Sequence, residues 1–140
     1  MAVKFIRTSV RSIIPRRATA GSVGYDLFSI ENKVVKAGST ALISTGIKMQ
    51  IPSPFYGKIE GRSGLAYRCN VHIGGGVIDR DYRGEIQVIL VNAGDIDFQV
   101  MVGMAIAQII FIPCSNMALV EVENLDRSDR GARGFGSSGI

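Results

Sequence analysis

Residues 85–113, EIQVILVNAGDIDFQVMVGMAIAQIIFIP, contain the pattern that decides the fold. Three segments rich in apolar side chains are separated by glycine-containing turns and cover residues 85–91, 97–102 and 105–112. The first two segments alternate polar and apolar residues, which is typical of strands with one buried face. The third is almost wholly apolar and ends at Pro113, as expected for a buried strand. Three consecutive short strands are therefore predicted here.

The same pattern extends to both sides of this stretch. Further short strands are predicted at residues 3–7, 40–51, 56–60 and 117–122. A short helical turn fits best at residues 65–68. Strands at intervals of about ten residues, with Gly, Pro and Asn between them, are typical of a sandwich or barrel of the jelly-roll kind. We therefore predict an all-β fold with no internal repeat and no second domain.

Composition sets the limits of this interpretation. The chain has 140 residues, 46% hydrophobic and 20% charged, which is an ordinary balance for one globular domain. No apolar run approaches the roughly 20 residues that span a bilayer, so no membrane segment is expected. Cys69 and Cys114 are too few for a disulfide framework, and we expect both to be free and structural. The single histidine, His72, lacks partners for zinc and is interpreted as structural.

Positive charge is concentrated at the start of the chain. Five basic residues precede the first acid, Asp26: Lys4, Arg7, Arg11, Arg16 and Arg17. A transit peptide is one interpretation of an acid-free, arginine-containing start. The alternation of residues 3–7 and the lack of a helical stripe favour a first strand followed by a basic loop. Nucleic-acid binding through this basic start is a minor alternative, which a steep salt dependence would support; no nucleic-acid partner is expected.

The end of the chain differs from the rest. Residues 126–140, DRSDRGARGFGSSGI, have almost nothing to bury and are expected to be mobile when alone. We therefore divide the chain into a β domain at 1–125 and a flexible glycine-rich arm at 126–140. One interpretation of this arm is a mobile, solubilising terminus. The other is a segment in which Phe135 closes over a flat ring while Arg130 and Arg133 bind an anion.

Three internal clusters carry residues suited to phosphate chemistry. Residues 61–64, GRSG, place a guanidinium and a hydroxyl on a turn whose backbone can approach an oxyanion. Residues 74–84, GGGVIDRDYRG, combine two carboxylates with two arginines between glycines, which suits metal-assisted attack on a phosphate ester. Residues 20–27, AGSVGYDL, set Asp26 beside an aromatic in a glycine-rich bend. Alone, these clusters also fit a chance turn, a charged hairpin and a turn-capping aspartate.

Taken together, the clusters resemble the five ordered motifs of the trimeric dUTPase family. The corresponding segments are AGSVGYDL (20–27), GRSGLA (61–66), GVIDRDYRG (76–84), GMAIAQ (103–108) and RGARGFGSSG (130–139). Their order and spacing cover nearly the whole chain, and the third and fifth are highly specific. The resemblance implies a β jelly roll or distorted β-barrel of the β-clip type with a flexible C-terminal arm, and a homotrimer whose three active sites are shared between subunits.

The resemblance also implies an activity. Members of this family hydrolyse dUTP to dUMP and pyrophosphate, which keeps uracil out of DNA and supplies dUMP for thymidylate synthesis. Mg²⁺ is the implied cofactor, held chiefly by the three phosphates and water, with Asp26 near the water shell. The implied partners are the dUTP substrate and two further copies of the chain. The implied location is intracellular, in the cytoplasm or nucleus, or in a host cell if the source is viral.

The resemblance assigns roles residue by residue. Asp79 would orient and deprotonate the water that attacks the α-phosphorus. Phosphate oxygens would be held by Arg62, Ser63, Gly64 and Gln108. Backbone groups of Gly76, Val77 and Ile78 would read uracil, and Tyr82 would pack on the deoxyribose and exclude a 2′-hydroxyl. From the arm, Arg130 would reach the γ-phosphate and Phe135 would stack on the uracil. Gln87 and Gly136 complete the expected substrate-binding set.

Several positions depart from the family pattern. Gly61 stands where proline is usual before Arg62, and we expect it to loosen the turn that aims this arginine; Glu60, if it faced the site, would repel phosphate. Met104 and Ala105 replace an acidic–basic pair in the fourth motif, which predicts the loss of a salt bridge. In the arm, Arg133 replaces a glycine and Ser138 a commoner threonine. Altered substrate affinity is the expected consequence.

Two other functions compete with dUTP hydrolysis. The related dCTP deaminases share the fold but need a glutamate as proton shuttle on the strand after the hairpin, where this chain has Ile89. The nearby Glu85 lies at the wrong spacing, so deamination is disfavoured. A non-catalytic binding protein of the same fold is the second alternative, kept open by Gly61, Met104 and Ala105. Binding of dUTP without hydrolysis would identify it.

Overall fold

The computed structural model describes residues 1–137 and residue 139. Within these residues the chain forms strands and one short helix, in the following order: β1 Lys4–Arg7, β2 Tyr25–Phe28, β3 Lys33–Val35, β4 Thr40–Gln50, β5 Phe55–Glu60, α1 Ser63–Cys69, β6 Val71–Gly74, β7 Val77–Ile78, β8 Glu85–Asn92, β9 Phe98–Val100 and β10 Ala105–Pro113. Over the described range, no helix has both the length and the apolar character needed to cross a membrane.

The strands form two four-stranded antiparallel sheets and one small pair. The first sheet has the order β1-β4-β8-β6, the second has the order β2-β10-β5-β7, and β3 pairs with β9. Buried residues from both large sheets belong to one hydrophobic core, so the sheets pack face to face. The prediction of an all-β jelly roll is confirmed. Among residues 1–137 the sheets stay open and do not close into a continuous barrel.

Strand β8 explains how the sequence pattern builds this core. Ile86, Val88 and Leu90 are fully buried, whereas the residues between them are half-buried or exposed. Alternate side chains of a strand point to opposite faces, so the alternation seen in the sequence becomes one buried face. Burying a side chain of this size stabilises the fold by about 1.5–3 kcal/mol. Leu27 and Ile109 contribute equally buried side chains from the second sheet.

Most of the predicted elements are confirmed. The strands expected around residues 3–7, 40–51, 56–60, 85–91, 97–102 and 105–112 are present, and the helical turn expected at 65–68 lies within α1. Strands β2, β3, β6 and β7 were not predicted, because two to four residues between turns give little periodicity. The expected strand at 117–122 is wrong for the chain alone: this segment forms no regular element, and its side chains are exposed.

The cysteines and the histidine have simple surroundings. Cys69 and Cys114 are both free, as predicted, but both are exposed, so the expectation that they are structural is wrong. His72 is exposed on β6 and its Nε2 lies 2.7 Å from Oδ1 of Asn70. Within the described residues, no group of three metal-ligating side chains includes this histidine. Its contact with Asn70 agrees with the structural interpretation.

Candidate active site

A cleft of about 500 Å³ opens between β2, β10 and the start of α1. Five of the predicted site residues line it together: Asp26, Arg62, Ser63, Gly64 and Gln108. They come from the first, second and fourth motifs, which are far apart in the sequence. The remaining lining residues are Ala18, Ser22, Gly24, Leu65, Arg68 and Cys69.

Strand register brings Asp26 and Gln108 together. The two residues are directly opposite each other in the β2–β10 pair, and opposite residues of antiparallel strands project from the same face. The Gln108 amide donates from Nε2 to the Gly61 carbonyl oxygen over 3.0 Å. Its other side rests against Gly24, where an added Cβ would lie 3.0 Å from Cβ and Cδ of Gln108 and closer still to Oε1. Glycine at position 24 is therefore what leaves room for the Gln108 side chain.

Arg62 is held from two sides at the head of α1. Its backbone is extended (φ −98°, ψ 131°), so it ends the preceding segment and is not part of the helix. Its Nε lies 3.6 Å from Oδ1 of Asp26, and its Nη1 donates to the Ala105 carbonyl oxygen over 3.3 Å. The side chain remains 39% exposed, which leaves part of the guanidinium free for a ligand. A planar fork held in this way suits a phosphate oxygen pair.

The unusual residues of the second and fourth motifs are accommodated by these contacts. The carbonyl of Gly61 is anchored by Gln108, and a Cβ at position 61 would meet only Ile73, at 3.7 Å. The expected loosening at Gly61 is therefore offset by a hydrogen bond. Met104 packs against the core, and Ala105 supplies its carbonyl to Arg62. The missing acidic–basic pair thus leaves a backbone contact to the arginine in place.

Glu60 does not line the cleft. Its Oε1 lies 2.6 Å from Nζ of Lys58, two residues earlier on the same face of β5. The hydrogen bond and the charge of Glu60 raise the pKa of Lys58 above its ordinary value of 10.5. This pairing neutralises the carboxylate that the sequence suggested would repel phosphate.

Asp79 opens into a different cleft. This second cleft, of about 680 Å³, is lined by Tyr56, Val77, Asp79, Arg80, Asp81, Cys114 and Asn116, and it shares no residue with the first. Strand β7 pairs with β5, which pairs with β10, so Asp79 lies two strands from β10 and about four residues along it from Gln108. Strand spacing and rise then separate the two residues by roughly 15 Å. One chain does not bring the predicted base and the predicted phosphate-holding residues together.

The loop between β6 and β7 exposes backbone groups at a sheet edge. Gly75 and Gly76 have positive φ values of 60° and 106°, a region that favours glycine. The Gly76 carbonyl accepts from the Ile59 amide over 2.8 Å, which fixes the turn against β5. Strand β7, which contains Val77 and Ile78, is at the edge of its sheet. Half of the N–H and C=O groups of an edge strand point away from the sheet, where a planar ligand with matching donors and acceptors can pair with them.

Tyr82 and Gln87 line neither cleft. The Tyr82 hydroxyl donates to the Glu85 carbonyl oxygen over 2.8 Å, which folds the ring back over the end of the hairpin. Gln87 is half-buried on β8 and donates from Nε2 to Oγ of Ser44 over 3.2 Å. Its predicted role in substrate binding has no geometric support within one chain. The carboxylate of Glu85 accepts from the Gly46 amide over 2.9 Å, so it too is directed away from both clefts.

The predicted residues of the arm also lie apart from both clefts. Nε of Arg130 donates to the Arg133 carbonyl oxygen over 2.7 Å, so a local turn organises this part of the arm. Phe135 is fully exposed and has a positive φ of 53°, as does Gly136 with 95°. Ser138, the serine that departs from the commoner threonine, lies outside the described residues.

Two polar residues of the first cleft were not assigned roles from the sequence. Ser22 contributes a hydroxyl, which lies 2.9 Å from that of Thr19. Arg68 contributes a second guanidinium from the last turn of α1. Arg68 is four residues beyond Gly64, and residues at this spacing share a helix face. This spacing could have identified Arg68 as a site residue from the sequence.

The fold and the site together define a class of protein: a jelly roll with a cleft suited to anions and a separate hairpin that carries carboxylates. Comparison with known proteins supports this class: the model of the family described as dUTPase matches residues 11–139. The chain therefore belongs to the dUTPase family. It is similar to the deoxyuridine 5′-triphosphate nucleotidohydrolase of Swinepox virus (strain Kasza), with 47% identity over 99% of this chain and 97% of the relative. The enzyme of the same name from Clostridium acetobutylicum is 45% identical over 92% and 90% of the two chains.

Solved structures give the same result for the fold. The dUTPase of Staphylococcus bacteriophage 80alpha with dUpNHpp superposes with a TM-score of 0.93 at 26% identity, covering 99% of each chain. A dUTPase of phage phi11 of S. aureus, described as coordinating a structural Mg(II) ion, superposes with a TM-score of 0.82 at 23% identity. The superposition covers 89% of this chain and 98% of that one.

Proposed function

We propose that the chain is a dUTP pyrophosphatase that hydrolyses dUTP to dUMP and pyrophosphate, and so keeps uracil out of DNA and supplies dUMP for thymidylate synthesis. The observation that carries the proposal is the cleft of Arg62, Ser63, Gly64 and Gln108. It occurs in a chain 47% identical to a deoxyuridine 5′-triphosphate nucleotidohydrolase. Such a substrate belongs to the intracellular nucleotide pool, in the cytoplasm or the nucleus.

In this proposal the first cleft binds the triphosphate. The Arg62 guanidinium, oriented by Asp26 and the Ala105 carbonyl, neutralises charge on the phosphate oxygens as it develops. The Ser63 hydroxyl and the free N–H of the Gln108 amide add hydrogen bonds. Donors that are already oriented need no reorganisation when the phosphorus is attacked, which is the main advantage of a built anion site.

Asp79 acts as the general base in this proposal. It is exposed at the end of β7, beside Arg80, whose guanidinium is directed away toward Ser53 and Pro54. The carboxylate is therefore free to accept a proton from water. In this step the water oxygen bonds to the α-phosphorus, and the bond between the α-phosphorus and the pyrophosphate oxygen breaks. Asp79 takes the proton from the water.

Uracil would be recognised by the edge of β7. Its free backbone groups, around Gly76, Val77 and Ile78, supply donors and acceptors at fixed positions. Cytosine has the reverse donor pattern at the same ring positions, and mismatched buried polar groups are strongly rejected. Tyr82 would exclude a 2′-hydroxyl after leaving its contact with Glu85 or by presenting its ring face.

Magnesium fits this cleft as a substrate-borne ion. In the described residues no group of three carboxylate, histidine or cysteine side chains could hold a metal on its own. Among the described residues, Asp26 is the one carboxylate that lines the first cleft, and it would reach the ion through water. When bound with the triphosphate, Mg²⁺ would offset phosphate charge and fix the arrangement of the oxygens.

Assembly into a homotrimer is part of the proposal. The roughly 15 Å between Asp79 and Gln108 is too far for one chain to complete a site, and the resemblance to trimeric dUTPases supplies the number of subunits. An exposed apolar segment supports association: Met117, Leu119 and Val120 are 85%, 100% and 78% exposed. Glu121 and Glu123 continue this segment, and the exposed edge strand β1 carries Lys4 and Arg7. The acidic segment and the basic edge of β1 are therefore complementary in charge.

The division into a β domain at 1–125 and an arm at 126–140 also remains a proposal. Exposed Phe135, with Gly134 and Gly136 on either side, is free to stack on a base. Arg130 would contact the γ-phosphate, exchanging its hydrogen bond with the Arg133 carbonyl for one with an oxyanion. The arm would thereby exclude water from the closed site.

The first test is to measure pyrophosphate release with Mg²⁺ from dUTP, dCTP, UTP and dTTP. We expect dUMP and pyrophosphate from dUTP alone. Formation of dUTP and ammonia from dCTP would instead indicate a deaminase. Tight dUTP binding with no release from any nucleotide, by protein shown to be folded, would identify a binding protein and refute the proposed activity.

A further inference from the structure

We propose that Arg68 is a further phosphate-binding residue, which supplies the net positive charge of the triphosphate cleft; this inference rests on the proposed function. The charged side chains that line the cleft are Asp26, Arg62 and Arg68. Asp26 and Arg62 pair with each other at 3.6 Å and largely offset one another. The triphosphate is polyanionic, so the cleft needs a cation that is not already balanced.

The position of Arg68 on α1 directs its side chain toward the residues of α1 that line the cleft. Arg68 lies one turn after Gly64, on the same face. The Cα–Cβ bonds of a helix tilt toward its N-terminus, so a long side chain extends back over the preceding turn. At Gly64 a Cβ would meet nothing within 4 Å. The space over Gly64, next to Ser63, is therefore open to both the Arg68 guanidinium and a phosphate.

Arg68 differs from Arg62 in what holds it. Arg62 is engaged by Asp26 and by the Ala105 carbonyl. Arg68 is exposed, and among the described residues its side chain forms neither an ion pair nor a hydrogen bond. A guanidinium without a protein partner keeps its donors for a ligand. The two arginines thus have different roles: Arg62 is oriented before the ligand binds, and Arg68 moves onto the phosphates when they bind.

A purely structural role for Arg68 gives different expectations. A cation in the last turn of a helix stabilises the helix through its dipole. Removal of the charge would then lower the melting temperature and leave nucleotide affinity unchanged. Phosphate binding gives the opposite result, with a change in affinity and little change in melting temperature.

The experiment compares Arg68→Gln and Arg68→Lys with the wild type. Arg11→Gln is the matched control, because Arg11 is exposed, carries the same charge and lies outside both clefts. Calorimetry with dUpNHpp and Mg²⁺ gives Kd, and steady-state kinetics give kcat. We expect Arg68→Gln to raise Kd about tenfold, as for loss of a charge-assisted hydrogen bond, with kcat nearly unchanged. Arg68→Lys keeps the charge but loses the fork, so it should recover part of the affinity. Arg11→Gln should stay within about twofold, because exposed distant charges are screened.

Equal Kd values for Arg68→Gln, Arg11→Gln and the wild type would overturn the inference, as would a lower melting temperature alone. Inorganic tripolyphosphate is the second probe and separates the two proposals. If the wild type fails to hydrolyse dUTP, the proposed function is refuted. Tripolyphosphate binding that depends on Arg68 would then still support the phosphate site, and binding that is independent of Arg68 would overturn it.

Discussion

Replacement of Gly24 by alanine tests how the phosphate cleft is built. The added methyl would lie 3.0 Å from Cβ and Cδ of Gln108 and closer to its Oε1, so the Gln108 side chain must rotate away. Rotation breaks the 3.0 Å hydrogen bond from Nε2 to the Gly61 carbonyl. Loss of one such bond costs about 1 kcal/mol of stability. For a chain of this size that is a fall in melting temperature of roughly 3 °C.

The effect on activity should be larger than the effect on stability. A hydrogen bond between an amide and a charged phosphate is worth about 1.5–3 kcal/mol. Its loss from Gln108 would lower kcat/KM for dUTP by about 10- to 100-fold. The assay is steady-state pyrophosphate release, with thermal unfolding measured on the same samples. If the methyl acts through the Gln108 side chain, Gly24→Ala combined with Gln108→Gly should lower kcat/KM no further than Gln108→Gly alone.

Gly21→Ala is the matched control for this prediction. It makes the same substitution in the same loop, but a Cβ at position 21 would meet nothing within 4 Å. Its melting temperature and kcat/KM should stay near those of the wild type, since surface changes without contacts have small effects. Equal values for Gly24→Ala and Gly21→Ala would refute the idea that Gly24 makes room for Gln108.

Three further predictions follow from the hairpin, the arm and the Lys58–Glu60 pair. Gly76→Ala should lower kcat/KM by at least about tenfold, since the Cβ would meet the Ile59 carbonyl at 2.8 Å. Gly38 also has a positive φ, but a Cβ there would meet nothing within 4 Å, so Gly38→Ala should lower only stability. Removal of residues 126–140 should sharply lower activity toward dUTP and leave the melting temperature unchanged, because the described residues of the arm are exposed, apart from half-buried Gly134. A matching loss of stability would contradict this. Glu60 raises the pKa of Lys58 in the folded protein. The pair therefore stabilises the fold at pH values below the ordinary lysine pKa of the unfolded chain. This stabilisation is lost as the pH rises through the raised pKa of the folded protein. Thermal unfolding of the wild type and Glu60→Gln should therefore converge above pH 10.5, and a gap that persists at higher pH would contradict the assignment.

The sequence predicted the long strands well, because their burial is periodic. In β8 the alternation of Ile86, Val88 and Leu90 is visible without any structure. The apolar composition of residues 117–122 was misleading. An apolar segment can form a strand only if its backbone has a partner, and the chain supplies none among its described residues. Pattern alone does not say which copy of the chain provides that partner.

The candidate site was predictable only in part. The side chains that bind anions could be named from their motifs, but the neighbourhood of Asp26 and Gln108 depends on a strand register set by distant segments. The substitutions at Met104 and Ala105 suggested a lost salt bridge. The structure instead gives Arg62 a carbonyl partner at Ala105, and a backbone contact leaves no trace in side-chain identity. Arg68 could have been found from its spacing to Gly64.

The two separate clefts have a genetic consequence. Because Arg62 and Asp79 line different clefts with no residue in common, a chain damaged at one still carries the other intact. Under the proposed trimer, two inactive alleles produced together would complement each other: random mixing of Arg62→Ala and Asp79→Asn chains would restore roughly a quarter of the sites. By the same mixing, chains from one inactive allele would enter trimers with normal chains and reduce the activity of those trimers. Inheritance of activity would then depend on which cleft each allele has lost.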